Sequence, residues 1–97
     1  MKAIAAVFTA TALLVAGPAL ASEDLSKKHK CTTCHDASAK KIGPTWKEIA
    51  AKRKGDKASV IAAIEKGVKG EYGKVPMPPQ PGAKADADEL ATWILTH

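Results

Sequence analysis

The apolar residues of this 97-residue chain recur at helical spacings, in short runs. Val60, Ile61, Ile64 and Val68 follow the three- and four-residue intervals that put side chains on one face of a helix. Asp56 stands where it can cap that helix, and Gly67 suits its C-terminal end. Upstream, TWKE at residues 45–48 has the form of a capping box just after Gly43 and Pro44. It predicts a helix through Ile49, Ala50 and Ala51 that stops before Gly55. Asp86, Asp88 and Glu89 open a last helix, whose buried face is Ala87, Leu90, Ile94 and Trp93. A first helix is expected from Ser22 as N-cap, with Glu23 and Asp24 in a first turn where the helix dipole favours acids. It would lead into CTTCH, residues 31–35. The segment GEYGKVPMPPQPG, residues 70–82, holds four prolines and three glycines and is not helical. No alternating strand pattern persists, and no repeat is visible. The expected fold is all-α: about four short helices, one proline-rich loop and no sheet.

The longest apolar run lies before these patterns. Residues 3–16 follow Lys2, contain Thr9 and Thr11, and are broken by Gly17 and Pro18. Ala19, Leu20 and Ala21 then give the small-x-small pattern accepted by signal peptidase. A spanning helix needs about 20 apolar residues, so the run is too short for a membrane anchor. Residues 1–21 are therefore expected to be a cleaved secretory signal, leaving a single domain, residues 22–97, in the periplasm.

Composition changes the picture of that domain. From Ser22 onward there are fifteen large apolar side chains and no Phe. Small domains with so thin a core need a staple, whether a disulfide, a metal or a cofactor. Fourteen basic and ten acidic side chains give the same region a formal charge of +4. Lys27, Lys28, Lys30, Lys40 and Lys41 flank the cysteine segment, as a docking face for an acidic partner would require. The basic residues are not interleaved with aromatics, which argues against nucleic acid.

Cys31 and Cys34 are the only cysteines, and His35 follows at once. A structural zinc site needs four ligands, and His29 and His97 are not spaced as a second pair. A thioredoxin-like redox pair should follow a strand, and no strand precedes Cys31. A bare disulfide leaves His35 unexplained and closes too short a loop to staple a fold. C-x-x-C-H is also the attachment site of a c-type haem, with the thiols added to the vinyl groups as thioethers and the histidine beneath the ring. A haem supplies the buried apolar area that the chain lacks, so the chain without haem is expected to fold poorly. His35 is the first iron ligand in this reading, its other ring nitrogen donating to a carbonyl near Gly43 and Pro44. Met77 is the second: it is the only methionine after the signal segment, lies in VPMPPQP rather than on a helix face, and stands 42 residues from His35. His29 is expected as an exposed helix residue and His97 as a fraying end.

These residues resemble the small monohaem class I cytochromes c of bacteria, especially the cytochrome c-551 type. The likeness spans the chain from residue 22 and rests on CTTCH, KKIGPTWKEIAAK, KGVKGEYGKVPMPP and LATWIL. It implies the cytochrome c fold, wrapped around one haem c held by Cys31 and Cys34, with iron between His35 and Met77. It further implies that the Pro44 carbonyl accepts from His35 and that Trp93 packs near the haem. Tyr72 stands where relatives often carry a Trp that reaches a haem propionate, and Gln80 near an Asn that contacts the methionine loop. Some relatives pair a propionate with an Arg late in the third helix, where this chain has Ala63.

Two strong axial ligands leave no open position on iron. The expected function is therefore electron transport in a respiratory chain by a monomeric carrier, not an enzyme, with redox proteins as partners. A haem enzyme or gas sensor with a labile Met77, and a thiol–disulfide protein, are the alternatives from other classes.

Overall fold

The computed structural model describes residues 17–97, so residues 1–16 of the expected signal segment lie outside it. It contains four α-helices: α1 (Gly17–Lys28), α2 (Trp46–Lys52), α3 (Lys57–Lys66) and α4 (Ala87–Ile94). Two 3-10 turns, Cys31–Thr33 and Pro81–Asp86, lead from α1 into the cysteine segment and from the proline-rich loop into α4. Among the described residues there is no sheet, only one antiparallel bridge between Val68 and Met77.

The capping signals act locally and appear as expected. The Thr45 hydroxyl accepts from the Glu48 backbone N–H at 3.0 Å, and the Asp56 carboxylate accepts from that of Ser59 at 3.1 Å. Each satisfies an amide that the first turn leaves without a partner. Gly67 closes α3, its N–H donating to the Ala63 carbonyl.

α4 packs against α1, α2 and α3. Its buried face is Ala87, Leu90, Ala91 and Ile94, joined in one cluster by Trp46, Val60, Ile64 and Ala83. Much of this core is small. Ser22 and Ser26 on α1, like Ala87 and Ala91 on α4, are almost wholly buried and let the helices approach closely. The Ser26 hydroxyl returns to the Glu23 carbonyl at 2.6 Å, so its burial leaves no polar atom unpaired.

Four expectations need correction. Ser22 does not cap α1, which already runs from Gly17. Ala19, Leu20 and Ala21 are good helix formers and give no break before it. Val68 does not extend the α3 stripe: the helix stops at Lys66, and Val68 pairs its backbone with Met77. Trp93 is half-buried at the border of the α4 stripe. Finally, His29 is not an exposed helix residue. It lies beyond α1, and its Nε2 is 2.8 Å from an Asp86 carboxylate oxygen, an attachment across 57 positions that a local reading cannot see.

Candidate cofactor site

The histidine wall is built by a tight turn. Cys31–Thr33 forms a 3-10 turn, and the backbone N–H groups of Cys34 and His35 both donate to the Cys31 carbonyl, at 3.1 and 2.9 Å. Both thiols are free and half-buried. Burial pushes the Cys31 thiol above its ordinary value; a backbone hydrogen bond opposes the shift, and the nearby Cys34 adds to it.

His35 is buried, with its ring stacked 4.7 Å from that of Trp46. Its Nδ1 lies 2.7 Å from the Pro44 carbonyl. A carbonyl only accepts, so Nδ1 carries the proton. Burial lowers the pKa of the ring, with the Pro44 bond opposing the shift. In the neutral tautomer Nε2 then keeps a free lone pair, the state a metal-binding imidazole needs. Gly43 makes the approach possible: a Cβ there would stand 2.7 Å from His35 Cε1. The loop is bound back by Gly43 N–H to the Cys34 carbonyl at 2.8 Å and Trp46 N–H to the Asp36 carbonyl at 2.9 Å.

The methionine wall is built by backbone shape. Val68 and Met77 exchange two backbone hydrogen bonds, at 3.0 and 2.8 Å. Gly67 has φ +79°, and a Cβ on it would meet the Met77 carbonyl oxygen at 2.5 Å and the Pro79 nitrogen at 2.9 Å. Gln80 ties the loop to α3 through its N–H and the Ile64 carbonyl, at 2.8 Å.

Between the two walls is a cavity of about 380 Å³, lined by Cys31, Cys34, His35 and Met77 together with apolar side chains such as Val60, Ile64, Leu90 and Ile94. The four residues singled out in the sequence thus share one space. Zinc has no such assembly: among the described residues no three His, Cys, Asp or Glu side chains gather as a metal site. His97 packs edge-on against Trp93, with ring centroids 4.7 Å apart, rather than reaching the cavity.

The profile of the Cytochrome c family matches residues 15–97. A cytochrome c-552 from Nitrosomonas europaea is 50% identical over 93 residues, covering 92% of this chain and 90% of that protein. One from Hydrogenobacter thermophilus is 45% identical over 85 residues, covering 84% of this chain and 87% of that one. This chain belongs to the cytochrome c family. The solved structure of wild-type Nitrosomonas europaea cytochrome c552 superposes with a TM-score of 0.72 at 41% identity, covering 76% of this chain and 96% of that one.

A cytochrome c carries covalently bound haem c with its iron and transfers electrons. The cavity suits that group. It offers two thiols, an imidazole with one free nitrogen and a thioether, set among apolar walls that an aromatic macrocycle would fill. Ile42 and Val75, 60% and 65% exposed, both line it, so part of its rim is apolar where it meets solvent.

The residues beside this set are less as expected. α4 faces the cavity with Leu90 and Ile94, whereas Trp93 packs edge-on against Trp46, 5.5 Å between centroids, outside the cavity lining. Tyr72 and Gln80 both line the cavity, and the Gln80 side chain donates to the Pro78 carbonyl at 3.1 Å. Arg53 also lines it and was not singled out in the sequence. The available signal was that Arg53 is the only arginine in the chain, immediately after a predicted helix.

Proposed function

We propose that this cytochrome c is a soluble, monomeric electron carrier of the periplasm, working in a respiratory chain and not as an enzyme. Cys31 and Cys34 would hold the haem as thioethers, and His35 and Met77 would ligate its iron. The observation that carries this reading is that His35 and Met77, 42 residues apart, line one apolar cavity with both thiols.

When bound, haem c supplies the one-electron couple of its iron. The chain's own residues set the conditions. The Pro44 carbonyl holds His35 in the tautomer whose Nε2 can ligate. Met77, as second ligand, would leave no position on the iron for a substrate and, as a thioether, would favour the reduced state. Val60, Ile64, Leu90 and Ile94 exclude water from one side of the site.

Ile42 and Val75 form the rim through which a partner would meet the group. Lys27, Lys28, Lys30, Lys40 and Lys41 are exposed near the cysteine segment. Lys41 is partly engaged by the Thr32 carbonyl at 2.9 Å, and Lys27 by Glu23 at 3.6 Å. The remaining lysines suit a transient encounter with an acidic redox protein.

The test is carbon monoxide added to the reduced protein at neutral pH. A closed His35/Met77 pair predicts slow, weak binding; rapid, tight binding would instead identify an enzyme or sensor. The mass of periplasmic protein reads the rest: residues 22–97 plus one haem is expected, whereas the bare chain would exclude haem attachment. Electron-transfer rates should fall as salt rises, and rates indifferent to salt would remove the docking role of the lysines.

A further inference from the structure

Haem carries two carboxylates as well as an apolar ring, and a carboxylate at the edge of a low-dielectric cavity needs a cationic partner. α3 faces the cavity with Val60, Ala63 and Ile64, and α4 with Leu90 and Ile94, so neither helix supplies charge. On the cysteine side the cavity has His29, already paired with Asp86, and the exposed Lys30. On the loop side it has Arg53, Glu71 and Tyr72.

Arg53 is the only arginine of the chain, the other fourteen basic residues being lysines. Its side chain is only 18% exposed, at the end of α2, while Glu71 beside it is 43% exposed. Arg53 is therefore at the boundary between cavity and solvent. Its Nε donates to the Tyr72 hydroxyl at 3.4 Å and an Nη donates to the Glu71 carboxylate. A guanidinium has five N–H donors in a planar fork, so three remain. Lys52 fixes the same loop from outside the cavity, with its Nζ 4.3 Å from the Tyr72 ring centroid and 2.9 Å from the Glu71 carbonyl.

We propose that Arg53 binds a carboxylate of the haem with its remaining donors, and that its bonds to Glu71 and Tyr72 tie that carboxylate to the loop carrying Met77. This rests on the haem reading above. One guanidinium then serves both the cofactor and the loop, from the end of α2 rather than from α3.

The experiment compares Arg53→Gln with Lys52→Gln in the haem-loaded protein, reading the midpoint potential across pH. Both variants lose one positive charge, but only Arg53 lines the cavity. A guanidinium beside a carboxylate holds its pKa down; without it the pKa rises by about one to three units. In Arg53→Gln the pH window over which the potential falls with rising pH should move upward by that amount. Above that window the potential should be lower than in the parent, since a cation that opposed the oxidised iron is gone. Lys52→Gln should leave the window in place. Arg53→Lys keeps the charge without the fork and should move the window less than Arg53→Gln. Equal behaviour of Arg53→Gln and Lys52→Gln, or no movement in Arg53→Gln, overturns the proposal. Haem content and the sulfur-to-iron absorption are read on the same samples. Their loss in the parent protein would instead strike the ligand assignment itself.

Discussion

On one wall of the cavity His35 is buried, stacked on Trp46, bonded to the Pro44 carbonyl and backed by a loop that closes on Cys34 and Asp36. On the other, Met77 is half-buried, positioned by backbone pairing with Val68 and by the close approach of Gly67 to its carbonyl. The first wall is over-determined by side-chain and backbone bonds made within fifteen residues. The second depends on the shape of a loop whose prolines limit its freedom and whose few bonds reach α2 and α3. An imidazole needs a fixed tautomer and ring plane, and hydrogen bonding supplies both. A thioether is a weak acceptor with no donor, so hydrogen bonds to the sulfur fix it little and the backbone of its loop does more of the positioning. Stress on the protein should therefore release the methionine before the histidine.

The largest test removes what both walls face. Cys31→Ala with Cys34→Ala deletes both thiols that would anchor the haem. A cavity of about 380 Å³ left unfilled represents up to about 9 kcal/mol at roughly 24 cal/mol per Å³. That is comparable with the whole stability of a small domain, about 5–15 kcal/mol. The expected outcome is a chain with residual helix by circular dichroism but no cooperative melt. A sharp, native-like transition would show that the small core of Leu90, Ile94 and the alanines suffices without the cofactor.

Gly67→Ala separates the walls. The new Cβ would meet backbone at 2.5 Å in a residue with φ +79°, so steric and conformational costs add to about 3 kcal/mol. Haem should stay attached and His35 stay ligated, while the sulfur-to-iron absorption weakens and carbon monoxide binding to the reduced protein accelerates. Retained methionine ligation at unchanged stability would contradict the weaker-loop argument.

Gly43→Ala is the counterpart on the other wall. A Cβ 2.7 Å from His35 Cε1 presses on a ring that has a carbonyl on one side and Trp46 on its face. Overpacking of this kind costs about 1–3 kcal/mol. Denaturant unfolding should show the loss, with the ring displaced and its Nδ1–H bond lengthened. If this variant lost methionine ligation as readily as Gly67→Ala, the walls would not differ in the way described.

How much of this was legible in the sequence depended on distance along the chain. The caps at Thr45 and Asp56 were readable because donor and acceptor are three residues apart. CTTCH stood out because of its spacing and residue types, and Met77 because a lone methionine among prolines has no place on a helix face; the fold brings both to one cavity. What was not readable is tertiary. His29 finds Asp86 across 57 residues, Trp93 turns from the cavity to Trp46, and Val68 leaves the α3 pattern for Met77. Arg53 looked like one more charge in KRKGDK, and only the fold sets it apart from Lys52 and Lys54. Helical periodicity gave the faces correctly for Val60, Ile64, Leu90 and Ile94, yet could not say that they border a cavity as well as one another.

The smallest expected effect lies at the entrance to the rigid wall. Lys30 has φ 60° and ψ 23°, the one described non-glycine residue with positive φ, where the chain leaves α1 and enters the Cys31–Thr33 turn. A side chain in the left-handed region costs about 1 kcal/mol relative to glycine, which takes that conformation freely. Lys30→Gly should raise the denaturation midpoint by an amount worth about 1 kcal/mol at most, offset in part by the greater freedom of the unfolded chain. Ligation should not change, since the turn and the His35 bond are already in place. Its electron-transfer rate should lose some salt dependence, because one exposed lysine near the cysteines is gone. A lower midpoint would mean that the Lys30 stem, which lines the cavity, contributes more by packing than its backbone costs in strain, and the rigid wall would then depend on a side chain at its own entrance.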